Sequence, residues 1–87
     1  MTKNSKVTVI MAVFNDEARV KNSIESILGQ TYQNIELLIL DDNSSDKTFD
    51  ICDSYSNESN VNVFRNPKNI GLTKSLNKLI EMSDCDF

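Results

Sequence analysis

Two adjacent carboxylates, Asp41 and Asp42, directly follow residues 35–40, an apolar run with the character of a β-strand. Ligands of open α/β sheets bind at the carboxyl ends of the strands, where an acid can accept hydrogen bonds from a ribose hydroxyl or a base N–H. The alternative is structural, because an acid before a helix can cap it. We favour ligand binding by one of the two acids, since consecutive strand residues point to opposite faces.

The first predicted strand, residues 7–13, ends in Phe14 and Asn15. If this strand is a neighbour of the strand before Asp41, Phe14 lies beside the acids, where its ring could stack on a base. A ring that covers the lip of the core fits the sequence equally well. Asn15 can cap the following helix, orient Asp42, or do both.

Several kinds of site are excluded by what the sequence lacks. It contains no histidine, so neither a Ser/His or Cys/His nucleophile nor a His-ligated zinc site can form. It contains no glycine-rich phosphate loop, so a bound nucleotide would need its diphosphate neutralised by other means, most simply by a metal on carboxylates. The net charge of −4 argues against a nucleic-acid partner.

Two weaker candidates lie towards the end of the chain. Lys74 is in the first turns of the third predicted helix and could reach a phosphate, although a lone helix lysine is more often solvated. The segment Asp84-Cys85-Asp86 has the form of a DxD metal motif. Because it directly follows a helix, and because residues 86–87 suit the start of a fourth strand, we do not assign it to a metal.

Strands and helices are predicted to alternate along the chain. Strands are expected at residues 7–13, 35–40 and 61–64, the first buried on both faces and the third nearer an edge. Helical spacing gives two apolar stripes, Val20, Ile24, Ile27, Leu28 and Leu72, Leu76, Leu79, Ile80. The order predicts an α/β fold, a Rossmann-like β-α-β-α-β-α parallel sheet with helices on both faces.

Local signals complete the expected organisation. Asn15 or Asp16 is expected to cap the first helix, and Ser45 or Asp46 the second. Cys52 is expected in the core. Residues 1–6 are a polar leader and residues 7–87 one domain or part of one, with no membrane span and no secretory signal. Two distant cysteines then indicate reduced thiols and a cytoplasmic location.

Several blocks of the chain resemble glycosyltransferase family 2 in order and spacing. They are residues 7–17, 23–32, 36–48 and 69–72, together with Asn66 and Asn77. The resemblance covers about residues 6–87. It implies the N-terminal half of the GT-A nucleotide-diphospho-sugar transferase fold. It also implies a nucleotide-sugar donor, often a UDP-sugar, and transfer to an acceptor hydroxyl with inversion.

The resemblance assigns roles to individual residues of the nucleotide-binding part. Phe14 matches the aromatic residue that lines the base pocket, and Asp42 matches the acid that binds uracil and ribose. Asp41 supports the loop beside it, and Asn15 matches the loop asparagine. Ala12 stands where the family usually has Pro or Thr, so a hydroxyl contact is lost there. Lys74 lies near positions where basic donor-site residues sometimes occur.

By the same resemblance, the metal-binding DxD motif, the acceptor half and the catalytic base follow Phe87, and Asp84 and Asp86 come too early to be that motif. We therefore expect a domain truncated before the DxD strand, with no catalytic residue in this chain and Mg or Mn in the full-length enzyme. A saccharide or lipid-linked acceptor in polysaccharide biosynthesis is implied. The location is the cytoplasm, with the inner membrane face reached peripherally through other regions of the protein.

Other functions remain open from the sequence. The chain could be an inactive truncated fragment, or a non-enzymatic nucleotide-binding or interaction module. A receiver-like signalling domain also carries adjacent acids at a strand end. It would place them after the first strand, however, and a phosphate-accepting acid after the third. Here those strands end in Phe14-Asn15 and Phe64-Arg65, so this alternative ranks low.

Overall fold

The computed structural model describes residues 6–30 and 34–83. Strands and helices alternate over this part of the chain, which confirms the predicted order. The elements are β1 (Val7–Val13), α1 (Val20–Leu28), β2 (Ile35–Asp41), α2 (Thr48–Asp53), β3 (Val61–Arg65) and α3 (Leu72–Ser83).

The three strands form one parallel sheet in the order β1-β2-β3. Its register pairs Val13 with Asp41 and Asp41 with Arg65, so the three carboxyl ends lie side by side. β2 is central, and its residues 37–41 are buried. β3 is an edge strand of this sheet, as predicted. β1 packs on both faces, as predicted, through Val9 and Met11 on one and Ile10 on the other, but most of the strand is only partly buried. Among the described residues it pairs with β2 alone.

Each face of the sheet carries its own apolar cluster, so the prediction of helices on both faces is confirmed. The cluster under α1 and α2 consists of Val13, Val20, Ile24, Leu37, Ile39, Cys52 and Val61. On the opposite face Leu79 of α3 packs against Leu38, Leu40 and Ile10. Cys52 is fully buried, as predicted, and burial, with the nearby charge of Asp41, raises the pKa of its thiol to about 12.

The predicted apolar stripe of α3 is mostly not buried. Leu79 is fully buried, but Leu72, Leu76 and Ile80 are 46%, 38% and 49% exposed. The face that meets the sheet is centred between Ser75 and Leu79, both fully buried. Residues four apart advance by about 40° around a helix, so Leu76 and Ile80 turn progressively away from the sheet.

The predicted cap of α1 is also wrong. α1 begins at Val20, whose N–H, like that of Arg19 before it, bonds to the carbonyl oxygen of Asp16, and no side chain caps the helix. The carboxylate of Asp16 instead pairs with Arg19 at 3.0 Å. The residue that precedes α2 is Lys47, which provides no side-chain cap, so neither Ser45 nor Asp46 occupies the predicted cap position. The Asp46 carboxylate nevertheless accepts the N–H of Thr48, the first residue of α2, at 2.9 Å.

None of the described helices is both long enough and apolar enough to cross a membrane.

Candidate functional site

The loops after the three strands meet at the carboxyl edge of the sheet. The parallel ladder continues one residue into them, since Asp42 N–H donates to the Val13 carbonyl at 2.9 Å and Asn66 N–H donates to the Asp41 carbonyl at 2.8 Å. The structure therefore brings Phe14, Asp41 and Asp42 together, as the sequence predicts if β1 and β2 are neighbours.

Asp42 is 1% exposed, and its carboxylate accepts hydrogen bonds from the loop after β3. Oδ1 accepts from Asn66 Nδ2 at 2.9 Å and from the Ile70 N–H at 2.8 Å. Oδ2 accepts from the Gly71 N–H at 2.8 Å. The Asn69 side chain adds a bond to the Asp42 carbonyl at 3.2 Å. Asp42 therefore anchors residues 66–71 to the end of β2.

These donors keep Asp42 ionised. Burial alone raises the pKa of a carboxyl group, but the hydrogen bonds from the Ile70 backbone, the Asn66 side chain, the Gly71 backbone and Ser75 lower the pKa of Asp42 below its usual value of 3.8. The chain thus holds a negative charge almost fully enclosed at the carboxyl edge of the sheet.

Asp41 is fully buried and closes the turn after β2. Its Oδ2 accepts the Ser44 N–H at 2.9 Å, and its Oδ1 accepts the Ser44 hydroxyl at 2.6 Å. Arg65 lies beside it, with Nε 3.6 Å from Oδ2. Asp41 and Asp42 therefore bind different loops, as expected for consecutive residues of a strand.

Asn15 links the loop after β1 to the loop after β2. Its N–H donates to Ser44 Oγ at 2.9 Å, and its Oδ1 accepts the Ser45 N–H at 2.8 Å. Its φ of 46° lies in the left-handed region, which asparagine tolerates better than most residues. The side chain is bonded to the serine turn, and neither of these bonds reaches α1 or Asp42.

The remaining predicted residues occupy different environments. Phe14 is 40% exposed at the end of β1, so its ring is accessible beside the loops. Ala12 is half-buried and pairs with Leu40. Lys74 is exposed on α3 and belongs to none of the hydrogen bonds that hold Asp42.

A divalent metal does not fit the described residues. Residues 6–30 and 34–83 contain no group of three or more His, Cys, Asp or Glu side chains placed to hold a metal ion. The carboxylates of Asp41 and Asp42 already accept donors from the protein. Asp84 and Asp86 lie outside the described residues.

The sequence assigned no role at this edge to two residues that organise it. Asn66, 1% exposed, donates to Asp42 and to Ser75 Oγ (3.0 Å), and its Oδ1 accepts from Lys78 Nζ at 2.9 Å. Arg65 donates from Nη2 to the Ser44 carbonyl at 3.0 Å. Both lie at the end of the third strand, so their position at the same sheet edge was the available signal.

Comparison with protein families and known proteins gives a consistent result. Residues 8–87 match the model of glycosyl transferase family 2. A putative glycosyltransferase of Bacillus subtilis, EpsE, is 37% identical over 89 aligned residues, which cover all of this chain and 32% of EpsE. Glycosyltransferase GlyA of Streptococcus pneumoniae is 34% identical over 77 residues, covering 88% of this chain and 11% of GlyA.

A shorter match and a solved structure add detail. WfaP of Escherichia coli, a UDP-Glc:α-D-GlcNAc-diphosphoundecaprenol β-1,3-glucosyltransferase, is 47% identical over 45 residues, covering 52% of this chain and 18% of WfaP. The mannosyltransferase PcManGT of Pyrobaculum calidifontis, solved with GDP-Man and Mn²⁺, superposes with a TM-score of 0.79 at 18% identity, covering 92% of this chain and 25% of PcManGT.

The chain spans about a third, or less, of the length of these relatives. The structural match shows the fold, which is that of the N-terminal portion of a GT-A glycosyltransferase. The family match over residues 8–87 shows that this chain belongs to glycosyl transferase family 2.

Proposed function

We propose that these residues form the nucleoside-binding side of a glycosyltransferase that moves a sugar from a nucleotide-sugar donor to an acceptor hydroxyl. The observation that carries the proposal is the arrangement at the carboxyl edge of the sheet. An accessible aromatic residue, Phe14, follows β1 there, and two buried acids, Asp41 and Asp42, lie at the end of the adjacent parallel strand β2, where α/β sheets bind nucleotides. Membership of the family supports the sugar-transfer reaction.

In this proposal Phe14 stacks on the base and Asn15 shapes the loop behind it, next to the small Ala12. Asp42 accepts a hydrogen bond from the base or ribose, which it shares with the donors of the loop after β3 that already hold its carboxylate. Asp41 supports the turn, and Lys74 contributes a positive charge near the phosphates.

The donor is proposed to be a UDP-sugar, transferred with inversion to a saccharide or lipid-linked acceptor during polysaccharide assembly. The name of WfaP supports this choice, since it includes UDP-Glc and a diphosphoundecaprenol-linked sugar. PcManGT, solved with GDP-Man, makes GDP the competing nucleotide. The proposed location is the cytoplasm, at the inner face of the membrane.

The full-length enzyme is proposed to use Mg²⁺ or Mn²⁺, as supported by the Mn²⁺ in the PcManGT structure. The ligands of that metal and the catalytic base are proposed to come from residues other than those described here. We therefore expect this 87-residue chain to bind a nucleotide without transferring sugar. A transfer assay on the purified chain tests this, and measurable product would overturn it.

The nucleoside site is tested by calorimetric titration of the chain with UDP and with GDP, each with and without Mn²⁺. Loss of a stacked ring costs about 1–3 kcal/mol per base, so Phe14→Ala should weaken UDP binding by about 5-fold or more. Phe64→Ala is the matched control, because Phe64 is similarly exposed at 37% but lies on β3.

Three outcomes of this titration are decisive. Saturable UDP binding that is weakened by about 5-fold or more in Phe14→Ala and kept in Phe64→Ala supports the site. Preference for GDP over UDP overturns the proposed donor and leaves the site intact. If neither nucleotide binds to a sample shown to be folded by circular dichroism, the described residues do not form a nucleoside site by themselves.

A further inference from the structure

We propose that Arg65 is a positioning residue of the nucleoside site. It holds Asp41 and Ser44, and Ser44 in turn holds Asn15, the residue that follows Phe14. The expected effect of Arg65 on nucleotide binding rests on the proposed function. The expected effect of Arg65 on the conformation of Asn15 concerns the chain without ligand and can be tested separately.

Arg65 contacts three parts of the molecule at once. Its Nη2 donates to the Ser44 carbonyl at 3.0 Å, and its Nε lies 3.6 Å from Asp41 Oδ2. Its Cζ lies 4.8 Å from the centroid of the Phe49 ring on α2. A planar guanidinium can donate along its edge while its face rests on an aromatic ring, which an ammonium group cannot reproduce. Arg65 therefore fixes the turn after β2 from the end of β3.

Ser44 transmits this constraint with a defined polarity. Its side chain is buried, and its hydroxyl has one proton. The hydroxyl donates this proton to Asp41 Oδ1, 2.6 Å away. Its lone pair then accepts the Asn15 N–H at 2.9 Å. The sequence of donors thus runs in one direction, from the Asn15 backbone through Ser44 to Asp41.

Asn15 lies at the end of this network that is farthest from Arg65. Its left-handed backbone, with φ of 46°, is held on one side by Ser44 Oγ and on the other by the Ser45 N–H, which bonds to its Oδ1. Asn15 directly follows Phe14, so its backbone sets the direction in which the chain leaves β1. A shift of the serine turn would therefore move the residue next to the proposed base-stacking ring.

The network spans the whole sheet edge. Arg65 ends β3, Asp41 ends β2 and Asn15 follows β1, and β1 and β3 lie on opposite sides of β2. Replacing Arg65 should therefore change the conformation of the loop after β1, although both apolar clusters stay intact. That spatial pattern distinguishes positioning from general loss of stability.

The test compares Arg65→Met, Arg65→Lys and a matched control, Lys68→Met, which removes an exposed positive charge from the neighbouring loop. Two-dimensional ¹⁵N–¹H NMR without ligand reports the amides of Asn15, Ser44 and Ser45. Titration with UDP reports affinity. In Arg65→Met we expect these three amide resonances to shift while that of Leu79 stays in place, and the Kd for UDP to rise at least 3-fold. Lys68→Met should match the wild type in both.

Each contrary result has a separate meaning. Unchanged resonances of Asn15 and Ser44 in Arg65→Met would show that the network does not position Asn15. Shifted resonances with an unchanged Kd would show that the site does not depend on it. If Arg65→Met does not fold, the same criteria apply to Arg65→Lys. If the wild-type chain fails to bind UDP, the proposed function fails, and the ligand-free spectra still decide whether Arg65 sets the conformation of Asn15.

Discussion

The Asp42 carboxylate accepts hydrogen bonds on both of its oxygens, and asparagine, the neutral side chain of the same shape, could not accept all of them. Asp42→Asn replaces one acceptor oxygen by an NH₂ group, which cannot satisfy both the Asn66 and Ile70 donors on one side and the Gly71 donor on the other. An unsatisfied buried donor costs about 1–3 kcal/mol, so we expect a loss of this size in urea unfolding. Asp53→Asn, an exposed change on α2, should stay within about 0.5 kcal/mol of the wild type.

The same carboxylate should make stability depend on acid pH. The hydrogen bonds lower the pKa of Asp42 below 3.8 in the folded chain, so its contribution is complete above the unfolded value of 3.8 and is lost as the pH falls through the folded value. Urea unfolding at pH 7, 4 and 3 should show the stability difference between wild type and Asp42→Asn narrowing below pH 3.8. A difference that stays constant over this range would contradict a lowered pKa of Asp42 in the folded chain.

At the scale of one element, α3 allows two leucines on the same helix to be compared. Leu79 is fully buried against β1 and β2, whereas Leu76 is 38% exposed. Leu79→Ala should destabilise the chain by about 2–5 kcal/mol because it leaves a cavity. Leu76→Ala should cost less, about 1–1.5 kcal/mol, since the side chain is only partly buried and its removal leaves no enclosed cavity. Chemical unfolding of both variants measures this, and equal losses would mean that α3 packs through the predicted stripe.

The element scale also shows what the sequence could predict. Apolar runs and helical spacing predicted all six elements and their order, because these patterns follow from local geometry. The face of α3 was not predictable in this way. Ser75 is polar, yet it is buried because Asn66 donates to its hydroxyl across the loop. Similarly, the side chain of Asn15 bonds to Ser45, 30 residues away, rather than to the helix that follows it. Such long-range polar bonds leave no periodic signal.

For the candidate site, the sequence placed Phe14, Asp41 and Asp42 at one edge because parallel strands bring their carboxyl ends together. It did not reveal that both acids are already engaged by protein donors. That engagement depends on how the loop after β3 folds back over β2, which only the three-dimensional arrangement of residues 66–71 defines.

At the scale of the whole molecule, the free edge of β1 should govern association. Within residues 6–30 and 34–83, β1 pairs only with β2, and its sequence has no charged residue or proline to discourage a further strand. Exposed strand edges of this kind promote pairing between chains. We expect the average mass of this 9.8 kDa chain to rise above the monomer value between about 10 and about 200 μM in sedimentation velocity.

A charge on that edge should suppress the association. Val7, 39% exposed at the start of β1, belongs to neither apolar cluster, so Val7→Lys leaves both clusters intact. The matched control is Asn62→Lys on β3, the strand at the other edge of the sheet. If β1 is the associating edge, Val7→Lys should return the chain towards the monomer mass while Asn62→Lys does not. The reverse pattern would assign association to β3, and a chain that is monomeric throughout this range would show that neither edge is open to a second copy.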